Sequence, residues 1–188
     1  FMTGTTNTDW SWSVLSEDFD HNGHNDLFIT NGYLKDIFDM DYTKYQLDSL
    51  MKNVLKRNFP KEWNKFAKPA KLTNYFYANN GNMQFDKVSN VWADGRTSFS
   101  NGAAYADLDN DGDLDIVVNN INDAAFLMKN TISEKKKTNS VEIKLIGDNG
   151  NKFAVGSEVK VIYSDGTFNK KLFQPTRGFY SSVDYRLI

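Results

Sequence analysis

With 188 residues, a net charge of −2, 40% hydrophobic and 24% charged side chains, the chain has ordinary globular composition and enough length for one or two domains. No apolar run approaches the roughly 18 residues needed to cross a bilayer, so no membrane span is expected here. The longest basic run, Lys135-Lys136-Lys137, is too short to recruit nucleic acid. The absence of cysteine excludes a disulfide framework, a thiolate metal site and a Cys nucleophile, and leaves the compartment open. The sequence opens on Phe1 without a charged stretch followed by an apolar one, and ends on strand-like Tyr185-Arg186-Leu187-Ile188, so it reads as a fragment of a longer protein.

In chain order, Trp10 to Leu15 alternates apolar and polar residues and predicts a strand; Leu27 to Thr30 predicts a second. Between them lies Asp18-Phe-Asp-His-Asn-Gly-His-Asn-Asp26. Leu47, Leu50, Met51, Val54, Leu55 and Phe59 then fall at the spacing of an amphipathic helix that Pro60 ends or kinks. A helical insertion over about 36–66 is therefore expected, its apolar stripe serving as a packing face. Strands follow at Tyr75 to Ala78, Ala103 to Ala106 and Ile116 to Val118, with Asn80-Gly81 and Asp94-Gly95 offering the positive-φ positions of tight hairpin turns. The nonapeptide returns as Asp107-Leu-Asp-Asn-Asp-Gly-Asp-Leu-Asp115, an offset of 107 − 18 = 89, and again runs into an apolar strand. Repetition of one such unit points to a propeller or solenoid. The polar, Lys-rich stretch Ser133 to Asn139 reads as a linker, after which Val141, Ile143 and Leu145, Glu158 to Tyr163, the Asp165-Gly166 turn and Phe168 to Gln174 predict a second β unit.

Both nonapeptides place oxygen-bearing side chains at positions 1, 3 and 5, Gly at 6 and Asp at 9. A hard divalent cation takes six to eight oxygens, and a tight loop that aims alternate residues inward, with Gly at its sharpest point, supplies them. The expected ligands are Asp18, Asp20, Asn22 and Asp26 with the carbonyl of His24, and Asp107, Asp109, Asp111 and Asp115 with the carbonyl of Asp113. Carboxylate and carbonyl donors suit Ca²⁺ over zinc or copper, and mutual repulsion of the acids ties local order to the ion. A solvated acidic turn is the plain alternative for one such run; two copies in one register argue for the metal. An EF-hand fails because position 12 holds Ile29 or Val118 where a bidentate Glu is required, and because the flanks are strand-like.

The pattern Asp-x-Asp-x-Asn/Asp-Gly-x-x-Asp followed by an apolar strand resembles the FG-GAP or VCBS repeat of integrin-α-like β-propellers, in which calcium sits in a hairpin loop of a blade. Ser100-Asn-Gly-Ala-Ala-Tyr-Ala-Asp107 is similar to the strand entering such a loop, and Tyr75 to Phe85 to the outer hairpin of these repeats. Val141-Glu-Ile-Lys-Leu145, Gly156-Ser-Glu-Val-Lys-Val161 and Arg177-Gly-Phe-Tyr-Ser-Ser182 resemble the ASPIC/UnbV domain that follows such repeats in proteins related to cartilage acidic protein and in many bacterial surface proteins. The resemblance implies a mainly β fold: propeller blades with the helical insertion over 1–132, and a small ASPIC/UnbV-like β domain over 139–188.

The function this implies is a calcium-binding, extracytoplasmic adhesion or binding module with about two Ca²⁺ sites and a glycan or protein ligand at a cell surface. The alternative is a calcium-dependent polysaccharide-active enzyme such as a lyase built on the same propeller. Against an enzyme, no Ser-His-Asp, zinc or phosphate-loop constellation is visible. His21 and His24 sit at non-ligating side-chain positions of one loop; Arg177 and Tyr180 are conceivable catalytic groups whose default role is structural. Trp10, Trp12, Trp63 and Trp92 could stack on sugar rings, although aromatics more often fill cores.

Overall fold

The computed structural model describes residues 3–34, 41, 44, 45, 69, 71–137 and 139–188. Asp41, Lys44 and Tyr45 are helical, while the rest of the expected insertion, including its apolar stripe and Trp63, lies outside the described residues. The described chain is mainly β, and its strand pairings are antiparallel.

Strand β1 (Ser11–Glu17) pairs with β2 (Asp26–Asn31) across the first nonapeptide; β3 (Leu72–Thr73) lies outside this sheet, and β4 (Tyr75–Asn79) and β5 (Phe85–Lys87) extend it. A short helix, α1 (Ser89–Trp92), and β6 (Thr97–Ser98), which pairs with β3, lead to β7 (Ser100–Ala106). Strands β7, β8 (Asp115–Asn120) and β9 (Phe126–Met128) form a second sheet around the second nonapeptide, and α2 (Ile132–Lys135) follows. Beyond it β10 (Ile143–Lys144) pairs with β15 (Arg186–Leu187), and β11 (Glu158–Ile162) with β12 (Phe168–Leu172). Strands β13 (Thr176–Gly178) and β14 (Ser181–Ser182) continue the first sheet past β1, so strands from both sides of the expected 132/139 division share one sheet. Gly81 and Gly166 take the positive φ expected of hairpin turns. Asp94 and Gly95 do so too, but they terminate α1, where Gly95 N–H donates to the Ser89 carbonyl, and close no hairpin.

The two hairpins repeat each other residue for residue. Val14 pairs with Ile29 as Ala103 does with Val118, each pairing is followed toward the hairpin's open end by a register shift, and Ser11 Oγ donates to Asn31 Oδ1 at 2.7 Å as Ser100 Oγ does to Asn120 Oδ1 at 2.7 Å. The third strand repeats as well: Leu27 faces Tyr77 where Ile116 faces Met128. Its offset is 128 − 77 = 51, so the first copy carries 89 − 51 = 38 more residues between its second and third strands. The insertion is thus a connection within one unit.

The copies differ in how many faces they cover. Leu15, Phe28 and Phe76, a cross-strand ladder on one face of the first sheet, are buried. Their counterparts Ala104, Val117 and Leu127 are more open, with Leu127 67% exposed. The second sheet buries Ala103, Tyr105, Ile116 and Val118; on the corresponding face of the first sheet Val14 is exposed, whereas Ile29 and Tyr77 are buried. These residues make one core with Phe19, Leu114 and Val183, so the front of one unit packs on the back of the next. At about 25 cal/mol per Å² of apolar surface buried, this shared core is the principal force holding the two units together.

One acidic side chain enters that seam. Glu17, 4% exposed, accepts the Tyr105 hydroxyl and lies 2.6 Å from Lys171 Nζ and 3.8 Å from Arg177 Nη2. Burying the carboxylate is tolerable because these partners meet it. Arg177 therefore serves a structural network between the repeats and the C-terminal strands, and Tyr180 is 84% exposed.

Candidate metal centre

Each nonapeptide builds the same loop. At position 1, Asp18 accepts the N–H groups of Asn22 (3.0 Å) and Gly23 (2.8 Å), and Asp107 accepts those of Asp111 (3.1 Å) and Gly112 (3.0 Å). At position 5, Asn22 Oδ1 accepts the His24 N–H at 2.8 Å and Asp111 Oδ1 that of Asp113 at 3.1 Å. Positions 4 and 6 carry positive φ in both: His21 and Asn110 at 55° and 60°, Gly23 and Gly112 at 91° each. This conformation costs a β-carbon about 1–2 kcal/mol, which explains Gly at 6 and a short polar residue or His at 4.

Position 9 closes the loop on itself and on the third strand. Asp26 Oδ2 accepts the Phe19 N–H at 3.0 Å and its Oδ1 the Asn79 N–H at 2.9 Å; Asp115 Oδ2 accepts Leu108 N–H at 3.1 Å and its Oδ1 Asn130 N–H at 2.8 Å. Both aspartates are buried. Asn79 and Asn130 were not singled out from the sequence. The signal that could have found them is an Asn four residues beyond the aromatic that opens each third strand, Tyr75 and Phe126.

The loops gather their acids into compact groups. Carboxylate oxygens of Asp18, Asp20 and Asp26 lie within 4.8 Å of one another, as do those of Asp107, Asp109 and Asp111. Asn22 stands beside the first group through bonds to Asp20. Burial, seconded by the Asp18 charge, raises the Asp20 pKa. Burial above all, with the Asp20 and Asp18 charges adding to it against the Asn79 and Phe19 N–H bonds, pushes Asp26 up to about 6. Asp113 is wholly buried, and its pKa is raised first by that burial and also by the Asp111 charge. Its Oδ2 accepts the Ser133 N–H at 3.1 Å, whereas its Oδ1 has no hydrogen-bond partner. The grouped carboxylates are oxygen donors of the kind a hard divalent cation takes, and the Asp113 side chain lies outside both groups.

The surroundings differ. The first loop rests on the β4–β5 hairpin: Asn22 Nδ2 donates to the Asn79 carbonyl and Asn79 Nδ2 to that of Asn25. The second rests on α2, where Ser133 Oγ donates to Asp111 Oδ2 at 2.9 Å, and Lys129 Nζ lies 2.7 Å from Asp109 Oδ2. The Asp109 and Glu134 carboxylates hold the Lys129 pKa above the usual lysine range. His24 is exposed on the loop surface. Trp10 and Trp12 meet edge to face and Trp12 Nε1 donates to the Gly32 carbonyl at 2.5 Å, while Trp92 packs on the core against Phe76.

Comparison with known proteins finds an FG-GAP-like repeat at residues 69–118, which spans the β4–β5 hairpin, α1, β7, the second loop and β8. No curated protein and no solved structure matches the chain.

Proposed function

We propose that this chain is a calcium-stabilised, extracytoplasmic binding module built from propeller blades, with Asp18, Asp20, Asn22, Asp26 and the His24 carbonyl holding one Ca²⁺ and Asp107, Asp109, Asp111, Asp115 and the Asp113 carbonyl a second. The observation that carries the reading is the match between the two loops at positions 1, 5 and 9, which accept the corresponding N–H groups, and at positions 4 and 6, which take positive φ. When bound, the ion would neutralise the grouped acids and fasten each hairpin's two strands together. The FG-GAP-like repeat supports an integrin-like adhesion or binding role, with a glycan or protein as the ligand. Such repeats are typically extracellular, and no helix among the described residues is long and apolar enough to cross a membrane.

Front-to-back packing of the two sheets supports the propeller. A contact between unlike faces, repeated, generates a ring when its rotation closes, which a face paired with itself cannot do. The assignment of 139–188 to an ASPIC/UnbV-like unit rests on its sequence and on the antiparallel pairs β10–β15 and β11–β12; β13 and β14 instead join the first sheet.

The test is calorimetric titration of chelator-treated protein with CaCl₂, followed by glycan and protein binding screens with and without calcium. Two bound ions per chain and calcium-dependent capture are expected; absence of calcium binding would sink the reading.

A further inference from the structure

Residues 129–136, which run into the stretch 133–139 read from sequence as a linker, touch both loops. Lys129 pairs with Asp109 of the second loop, the Asn130 N–H donates to Asp115, and Ser133 donates to Asp111 and Asp113. From the same stretch the Asn130 side chain reaches across to donate to the Phe19 carbonyl at 2.8 Å, and Lys136 Nζ donates to the carbonyl of His21. Phe19 and His21 are positions 2 and 4 of the first loop. Residues 129–136 thus form a strap that grips four acids of one loop and two backbone carbonyls of the other.

We propose that this strap couples the two loops, so that a divalent cation bound in either one tightens binding in the other. The inference rests on the calcium reading above and adds a regulation to it. Its physical basis is shared ordering. A cation that fixes Asp111 and Asp115 also fixes the Ser133 and Asn130 contacts, while displacing the Lys129 ammonium from Asp109, and through Asn130 and Lys136 it fixes the 19–21 backbone before the first loop receives its own ion. The second binding event then has less chain to order, which is positive cooperativity without a change of shape. Coupling of this kind commonly amounts to about five- to 150-fold in affinity; a strap of two cross-loop bonds belongs at the low end.

The experiment is calcium titration of the full chain and of single-loop variants. Asp109→Ala leaves the first loop to bind alone, and Asp18→Ala leaves the second. The wild-type isotherm should be steeper than the sum of the two variant isotherms, with each isolated loop about five- to tenfold weaker than in the intact pair. A strap variant, Asn130→Ala with Lys136→Met, removes the side chains that reach the first loop and retains the backbone N–H to Asp115. In it the two ions should bind independently. Amide exchange of Asn22 and Gly23 gives a second readout that needs no loop knockout: added calcium should slow it more in the wild type than in the strap variant. A wild-type isotherm equal to the sum of its parts, or cooperativity undiminished in the strap variant, overturns the coupling and leaves the calcium reading standing. No calcium uptake by either loop removes both.

Discussion

The first and second acidic loops share the internal hydrogen bonds of positions 1, 5 and 9 and differ at position 3 and in what holds them from outside. The first is backed by the β4–β5 hairpin and has Asn at position 5; the second is backed by α2, has Asp at 5 and at 7, and keeps an ammonium against position 3. The difference teaches that the nonapeptide fixes its own loop, while the segment after the third strand decides how firmly that loop is attached to the rest of the molecule.

The severest way to break the comparison is to remove position 9. Asp26→Ala and Asp115→Ala each strip the acceptor from two backbone N–H groups, and urea unfolding should show a loss of about 2–4 kcal/mol for either, in chelator as well as in calcium. Position 3 should behave differently. The described partner of Asp109 is the exposed Lys129 ammonium, so Asp109→Ala should leave thermal unfolding in chelator nearly unchanged. In calcium at a hundred times the dissociation constant it should forfeit about 2.7 kcal/mol.

Position 6 sharpens the contrast between the surroundings. A β-carbon on Gly23 meets open space, so Gly23→Ala should cost only the backbone term of about 1–2 kcal/mol; on Gly112 it runs into Ser140 Oγ, so Gly112→Ala should cost more. Equal losses in denaturant titrations would mean that the segment carrying Ser140 yields freely.

A further expected effect concerns pH. The Asp26 carboxyl titrates at about 6 in the folded chain and near the ordinary carboxylate value when unfolded, so the folded state holds an extra proton between those values. Without calcium, this group's contribution should be fully present at low pH and lost as pH rises through about 6. The stability difference between wild type and Asp26→Asn, followed by melting temperature from pH 4 to 7, should therefore shift against the wild type with rising pH; a constant difference would contradict the burial of this carboxyl.

Sequence periodicity located most of the strands because half-buried strands must alternate, and it located both loops because the demands of positive φ and oxygen donors leave few residue types at each position. The pairing of Val14 with Ile29 and of Ala103 with Val118 follows from the same repeat. Asn79 and Asn130 escaped because a 38-residue excess breaks the common offset between second and third strands. Ser133 escaped because a polar residue in a Lys-rich run has the composition of a solvated connection whether or not it grips its neighbours.

By itself the sequence determined what is local: the repeated loop, its Gly hinge and the strands that flank it, each set by steric and hydrogen-bonding rules acting over a few residues. Only the tertiary structure decided which face of each sheet is buried, why Glu17 can lie in the seam beside Tyr105, Lys171 and Arg177, and that residues 129–136 touch both loops. Those choices depend on residues as far apart as Glu17 and Lys171, brought together by packing the front of one unit on the back of the other. Two hairpins with the same strand register can therefore differ in which faces they bury, an outcome that no periodicity within either hairpin encodes.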